Sequence, residues 1–135
     1  MKLLTLLLLC FFSFKMNAQD GPLLKVEYTA QTRGVLKHIL ASSDSIHYQY
    51  QDLVKNLKIS AQDWNTLKEM VSGLDLKSLE QLKAPSNESS RDAALEAHVS
   101  LIFQDKTINS SVFDSGNPPE ELRKLVDQLF SIVSK

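Results

Sequence analysis

The end of the chain carries its most one-sided pattern. Leu122, Leu125, Val126, Leu129, Phe130 and Val133 recur at helical spacing, and Glu120, Arg123, Lys124, Asp127 and Gln128 fill the opposite side. A helix of this kind is held mainly by what its apolar stripe covers, so the chain must supply a second layer. The predicted start is Asn117. Asn is a favoured N-cap, Pro118 suits the first helical position, and Glu120 stands three residues after the cap.

The second layer reads as strands. Leu24, Val26, Tyr28 and Ala30 alternate with Lys25, Glu27, Thr29 and Gln31. Arg33-Gly34 makes a tight turn, and Val35 to Ala41 forms the second strand. Ser42-Ser43-Asp44-Ser45 is turn chemistry, and Ile46, Tyr48 and Tyr50 alternate in the third. With these turns, Tyr28 faces Ile39, Val26 faces Ala41, Ile39 faces Tyr48, and Ala41 faces Ile46. The apolar residues then fall on one face, as a three-stranded meander requires. Lys37 is the misfit on that face.

A helix should open at Ser60, with Asp63 as its capping-box partner and Ile59 and Trp64 at the staple positions. Trp64, Leu67, Val71 and Leu74 form its core face, and Gly73 is its stop. Leu76, Leu79 and Leu82 suggest one more short helical turn. Residues 83–94 read as an exposed polar loop. Leu95, Ala97, Val99, Leu101 and Phe103 then alternate through a strand that turns at Asp105-Lys106 and returns over residues 107–113. The expected fold is α+β: an antiparallel sheet of about five strands, in the order β-β-β-α-β-β-α, with two helices packed on one face.

The N-terminus is a separate matter. Met1-Lys2 is followed by an apolar run from Leu3 to Phe14 and by the small residue Ala18. This is the pattern of a secretory signal peptide over residues 1–18, leaving a single domain over residues 19–135. The run is shorter than the ~20 residues a membrane helix needs, so no membrane span is expected after cleavage. Cys10 is the only cysteine. A lipoprotein signal wants small residues before the cysteine, and Leu7-Leu8-Leu9 does not supply them. The chain holds 15 basic and 16 acidic residues, and losing Lys2 and Lys15 with the leader makes the rest more acidic. A mildly acidic domain without a basic block argues against nucleic acid as a partner.

Several motifs carry a resemblance: Asn17-Ala18-Gln19, Thr32-Arg33-Gly34, Trp64 with Gly73-Leu74-Asp75-Leu76, Arg91-Asp92-Ala93-Ala94, and Phe113-Asp114 through Pro118-Pro119. With them the chain resembles small uncharacterised exported domains of Gram-negative bacteria. The resemblance implies export and the β-β-β-α-β-β-α pattern, and brings no assigned activity.

The same strand register puts Glu27, Leu36, His38, Leu40 and His47 on the outer face of the meander. Two imidazoles and a carboxylate are ligand types for zinc, but there is no third clear ligand or His-x-x-x-His spacing, and a solvated sheet face explains them as well. Leu36 and Leu40 beside His38 suggest a partner surface, against the plain alternative of isolated surface leucines. Ser89, Ser90, Asp92, Glu96 and His98 lie close in sequence, without a nucleophile elbow such as Gly-x-Ser-x-Gly. Asp114-Ser115-Gly116-Asn117 has too few oxygens at fixed positions for an EF-hand loop. The expected function is an exported, non-enzymatic binding or accessory module, periplasmic or secreted. Its expected partner is a protein or peptide of the cell envelope, met through Glu27, Leu36, His38, Leu40 and His47. No catalytic residue, metal or cofactor is assigned. The alternative is a small hydrolase acting on an envelope or extracellular substrate.

Overall fold

The structure is a computed structural model that describes residues 21–91 and 93–135. The expected signal peptide over residues 1–18, with Cys10, lies outside the described residues, as does Asp92. The elements run β1 (Leu23–Thr32), β2 (Val35–Ser42), β3 (Ser45–Tyr50), β4 (Leu53–Lys58), α1 (Ala61–Ser72), β5 (Glu96–Phe103), β6 (Thr107–Asn109), β7 (Phe113–Asp114) and α2 (Glu120–Val133). The sheet order is β4-β3-β2-β1-β5-β6, with β7 also paired to β5. Every pairing is antiparallel. The fold is therefore α+β, an antiparallel sheet with two helices, as the hydrophobic patterning predicts.

The predicted register holds at each point tested. Tyr28 pairs with Ile39 and Val26 with Ala41. Ile39 pairs with Tyr48 and Ala41 with Ile46. Gly34 takes a φ of +76° at the first hairpin, the left-handed geometry that glycine adopts without a Cβ penalty. The inner face of the central strands is sealed: Val26, Ala30, Ile39, Ala41, Val99 and Leu101 are all fully buried. Both helices press on this face through Trp64, Leu67 and Val71 of α1 and Leu122, Leu125, Val126, Leu129, Ile132 and Val133 of α2.

Lys37 points to the same side, and the structure explains it. Its Nζ lies 4.9 Å from the centroid of the Tyr50 ring and 5.6 Å from that of Phe130. The ammonium is held over two π faces while its methylenes cover apolar surface.

Three features differ from the sequence reading. The sheet has seven strands rather than about five. One addition is β4, which pairs along the whole of β3. It forms a sheet edge and most of its side chains are exposed, so it lacks the apolar alternation of a half-buried strand. Its hairpin turns at Gln51-Asp52, with Gln51 at a φ of +53°. The other addition comes from the return segment over residues 107–113, which splits into β6 and β7. Ser110 Oγ accepts the Val99 N–H at 2.9 Å, and Ser111 Oγ donates to the Leu82 carbonyl at 2.6 Å. The Ser110 side chain takes over a bond that a regular ladder would make with backbone, and Ser111 turns instead to the segment after the 3-10 turn.

The third difference is the start of α2. The helix begins at Glu120, and neither Asn117 nor Pro118 has the predicted role. A residue before proline is pushed out of the α region, so Pro119 keeps Pro118 from being helical. Pro119 is itself the N-cap, with φ −51° and ψ 148°, and offers no capping side chain. Glu120 and Glu121 instead place negative charge in the first turn. At α1 the cap and stop hold: Ser60 Oγ accepts the Asp63 N–H at 3.0 Å and Gly73 is the C-cap, while the Asp63 carboxylate meets Lys135 Nζ at 2.8 Å. The further Leu-rich turn is a short 3-10 segment, Leu79–Gln81, with Leu79 buried.

Leu125 is 1% exposed, at the centre of the α2 stripe. Leu125→Asp buries a carboxylate without a partner and is expected to cost about 3 kcal/mol or more. Urea denaturation checks this. A variant with the parent's midpoint would mean that α2 does not cover the sheet.

Candidate functional site

The outer face of the sheet is built by strand alternation alone. With Val26, Tyr28 and Ala30 turned inward, Glu27 and Thr29 turn outward. The register then lines up rows across the strands. One row runs Asn56, His47, Leu40, Glu27, Ser100 and Asn109. The next runs Val54, Gln49, His38, Thr29 and His98. Four of the five predicted site residues fall in these two rows. Leu36 lies one row further, paired with Gln31, beside a shallow depression of about 520 Å³ between the β1–β2 and β3–β4 hairpin tips.

Four polar side chains form a connected group. His38 Nε2 donates to Glu27 Oε2 at 3.0 Å, with both side chains about one quarter exposed. The His38 and His47 rings lie 5.9 Å apart between centroids. His47 Nδ1 donates to Asn56 Oδ1 at 2.7 Å. Each imidazole thus has a fixed orientation and one partner. Leu40 sits in register between Glu27 and His47, and both Leu36 and Leu40 are half-buried rather than freely exposed. The surface combines two oriented imidazoles, a carboxylate and two aliphatic side chains. That mixture suits hydrogen-bonded recognition with some apolar contact. Among the described residues, no group of three or more His, Cys, Asp or Glu side chains is arranged to hold a metal ion.

Asn56 is the partner that the sequence reading missed. It stands on β4, and recognising that strand would have placed it opposite His47. His98 was read as part of a serine-rich cluster. The structure instead places it in the His38 row, with Thr29 between them. The loop serines have other roles: Ser90 Oγ donates to the Asn87 carbonyl, and the Ser89 backbone N–H is turned to Asp114. No serine hydroxyl hydrogen-bonds His98 among the described residues.

The loop over residues 83–94 is anchored by Asp114. This carboxylate is 3% exposed and accepts from Ser86 Oγ at 2.5 Å, the Glu88 N–H at 2.6 Å and the Ser89 N–H at 2.8 Å. It caps the 3-10 turn Glu88–Arg91 from across the chain. Asn117 Nδ2 donates to Ser86 Oγ at 2.9 Å, completing the group. In the structure Asp114 and Asn117 of the Asp114-Ser115-Gly116-Asn117 stretch serve to hold the loop. Both carboxylate oxygens already accept hydrogen bonds from the 86–89 segment.

These bonds, led by the one from Ser86, hold the Asp114 carboxyl down at about 2, below its ordinary 3.8. A depressed carboxylate contributes stability that is full above its unfolded value and is lost as pH falls through its folded value. The denaturation midpoint of the parent should therefore drop between pH 4 and pH 2. Asp114→Asn should lower the midpoint at neutral pH and flatten the decline over that window. An equally steep decline in Asp114→Asn would show that other carboxylates set the acid limb. Comparisons of the chain with family models, with curated proteins and with solved structures find no match.

Proposed function

We propose that the protein is an exported binding or accessory module, not an enzyme, and that it meets a protein or peptide partner of the cell envelope with the outer face of its sheet. The observation that carries this reading is the Glu27–His38–His47–Asn56 group, oriented by its own hydrogen bonds and flanked by Leu36 and Leu40. Polar groups held in place before binding lose less entropy on contact than mobile ones. Both helices lie on the opposite face, which leaves this one available. The Lys2-led apolar leader supports export to the periplasm or beyond it. No helix among the described residues is long and apolar enough to cross a membrane.

Catalysis needs a nucleophile or base aimed at a reacting atom and a stabiliser for developing charge. The histidines here lie on the outer sheet face, and among the described residues no loop or helix N-terminus closes over them, which favours recognition over chemistry.

The test is co-purification of the C-terminally tagged protein from native envelope and from culture medium. The control is Leu36→Lys/Leu40→Lys, with folding checked by circular dichroism. The expected result is a partner that binds the parent and is lost from the folded variant. Equal recovery by both proteins, or no partner with either, would reject the outer face as the binding surface.

A further inference from the structure

The sheet ends at β4 on one side and at β6 on the other. β6 has three residues, and so short an edge offers little to pair with. β4 has six, Leu53–Lys58. Two hydrogen bonds fix which of its backbone groups are free. The Gln51 N–H donates to the Leu36 carbonyl at 3.1 Å, and the Ile59 N–H donates to the Asp44 carbonyl at 3.4 Å. In an antiparallel sheet, successive residues of a strand turn their N–H and C=O to opposite neighbours. Counting from either bond gives the same answer. Leu53, Lys55 and Leu57 spend theirs on β3, and Val54, Asn56 and Lys58 turn theirs out of the sheet. Among the described residues no strand pairs with this edge. Leu53 and Val54, which lie on it, are each 50% exposed.

A second copy of the same strand can pair here, antiparallel, about a two-fold axis. The lysines choose the register, since like charges set directly opposite each other repel. An axis through Lys55 or through Lys58 sets that lysine against itself. An axis through Leu57 runs Val54 against Ser60, the N-cap of α1, and one through Val54 runs Asn56 against the hairpin turn. An axis through Asn56 avoids all of these. Val54 then meets Lys58 of the second copy, and Lys55 meets Leu57 of the second copy, so each lysine stem lies along an aliphatic side chain. Every outward N–H and C=O of Val54, Asn56 and Lys58 gains a partner. Asp52 falls diagonal to Lys58 of the second copy, a spacing that a long side chain spans, and the axis repeats the pair at the other end. Neither Asp52 nor Lys58 is ion-paired within its own chain among the described residues. Asp44, at the other end of the β3–β4 ladder, accepts from Ser42 Oγ at 3.0 Å.

We propose that the chain forms a two-fold dimer by antiparallel pairing of β4 with β4 of a second copy, centred on Asn56. The two sheets become one. The outer-face row of Leu40, His47 and Asn56 continues across the axis into Asn56, His47 and Leu40 of the second copy, so both copies contribute to one larger surface. The dimer does not depend on what that surface binds. A foreign extended peptide has the same backbone groups to offer. The second copy also brings an aliphatic side chain to each lysine and a lysine to Asp52, all in one register.

The test is sedimentation velocity of the purified protein over a micromolar concentration series. The expected result is a monomer–dimer equilibrium with no larger species. Val54→Pro removes an N–H that the single chain leaves unpaired, a change that edge strands tolerate. It should give a monomer with an unchanged circular dichroism spectrum. Asp52→Lys and Lys58→Glu should each weaken the dimer at least tenfold, and combining them should restore it. If Val54→Pro fails to fold, the charge series decides. A parent that stays monomeric across the series would overturn the proposal. So would a Val54→Pro dimer as tight as the parent's, or a double variant no tighter than the single ones. Growth beyond the dimer would overturn it as well, because a two-fold contact closes on itself.

Discussion

Tyr28 is the side chain on which the two halves of the fold meet. It sits at the centre of β1 and is 1% exposed. Its ring packs edge-on to Phe130 of α2, at 5.1 Å and 76°, and lies 6.4 Å from Phe113 of β7. A buried hydroxyl without a partner costs about 1–3 kcal/mol, so the ring can be buried here only if something reaches its oxygen. Ser115 does, at 2.9 Å. Burial pushes the Tyr28 phenol above its ordinary 10, and the Ser115 bond pulls the other way. The requirement passes along the chain. Ser115 must stand beside β1, so β7 must pair with β5, and the Ser115 N–H is fixed by the Leu95 carbonyl at 2.8 Å. Asp114, one residue earlier, then faces the 86–89 segment and ties it down. The long polar loop over residues 83–94 is thus held by a consequence of one tyrosine's burial.

This explains which parts of the fold could be read in the sequence. The meander was legible because its register is over-determined. Two short turns and one face of apolar residues must agree, and a one-residue slip would turn Val26, Tyr28 and Ala30 to solvent. The α1 cap was legible because Ser60 and Asp63 are local in sequence. The α2 stripe was legible for the same reason, although its first turn was not. There the Pro118-Pro119 pair, each restricting its neighbour, outweighs a favourable N-cap residue. The Asp114 group was not legible. Its donors lie 25 to 28 residues away, and only the folded chain brings them together.

The outer face was legible to the extent that the register was. Glu27, His38 and His47 were placed together by counting from two turns, and the structure adds their hydrogen bonds. What counting could not supply was the strand beyond. The β4 segment Leu53–Lys58 has neither strict alternation nor a buried face, because an edge strand has one neighbour and here gains little cover. Its assignment rests on backbone pairing to β3, which composition does not report. Asn56 and its bond to His47 stayed hidden with it.

The widths of the two layers account for where apolar surface is left over. Six strands at about 4.8 Å spacing make a sheet roughly 25–30 Å across, while two helices at about 10 Å each cover roughly 20 Å. The helices cannot reach both edges. On the β4 side Tyr50 is 37% exposed and Leu53 50% exposed, although both turn toward the helical layer. Lys37 bridges that seam, its ammonium over Tyr50 and Phe130. On the β6 side the seam between α1 and the β5–β6 hairpin is a groove lined in part by Leu74, Phe103 and Ile108. Both flanks meet the same problem, and on the β4 side a lysine serves because a long apolar stem can cover hydrocarbon while the charge remains in water. At Lys37 the stem lies against two rings that the chain itself provides. At the groove, Leu74, Phe103 and Ile108 are half-buried and pack against the core without being sealed by either helix. The two flanks thus differ in what closes them: aromatic rings with a lysine over them on the β4 side, aliphatic and aromatic side chains half-covered at the end of α1 on the other.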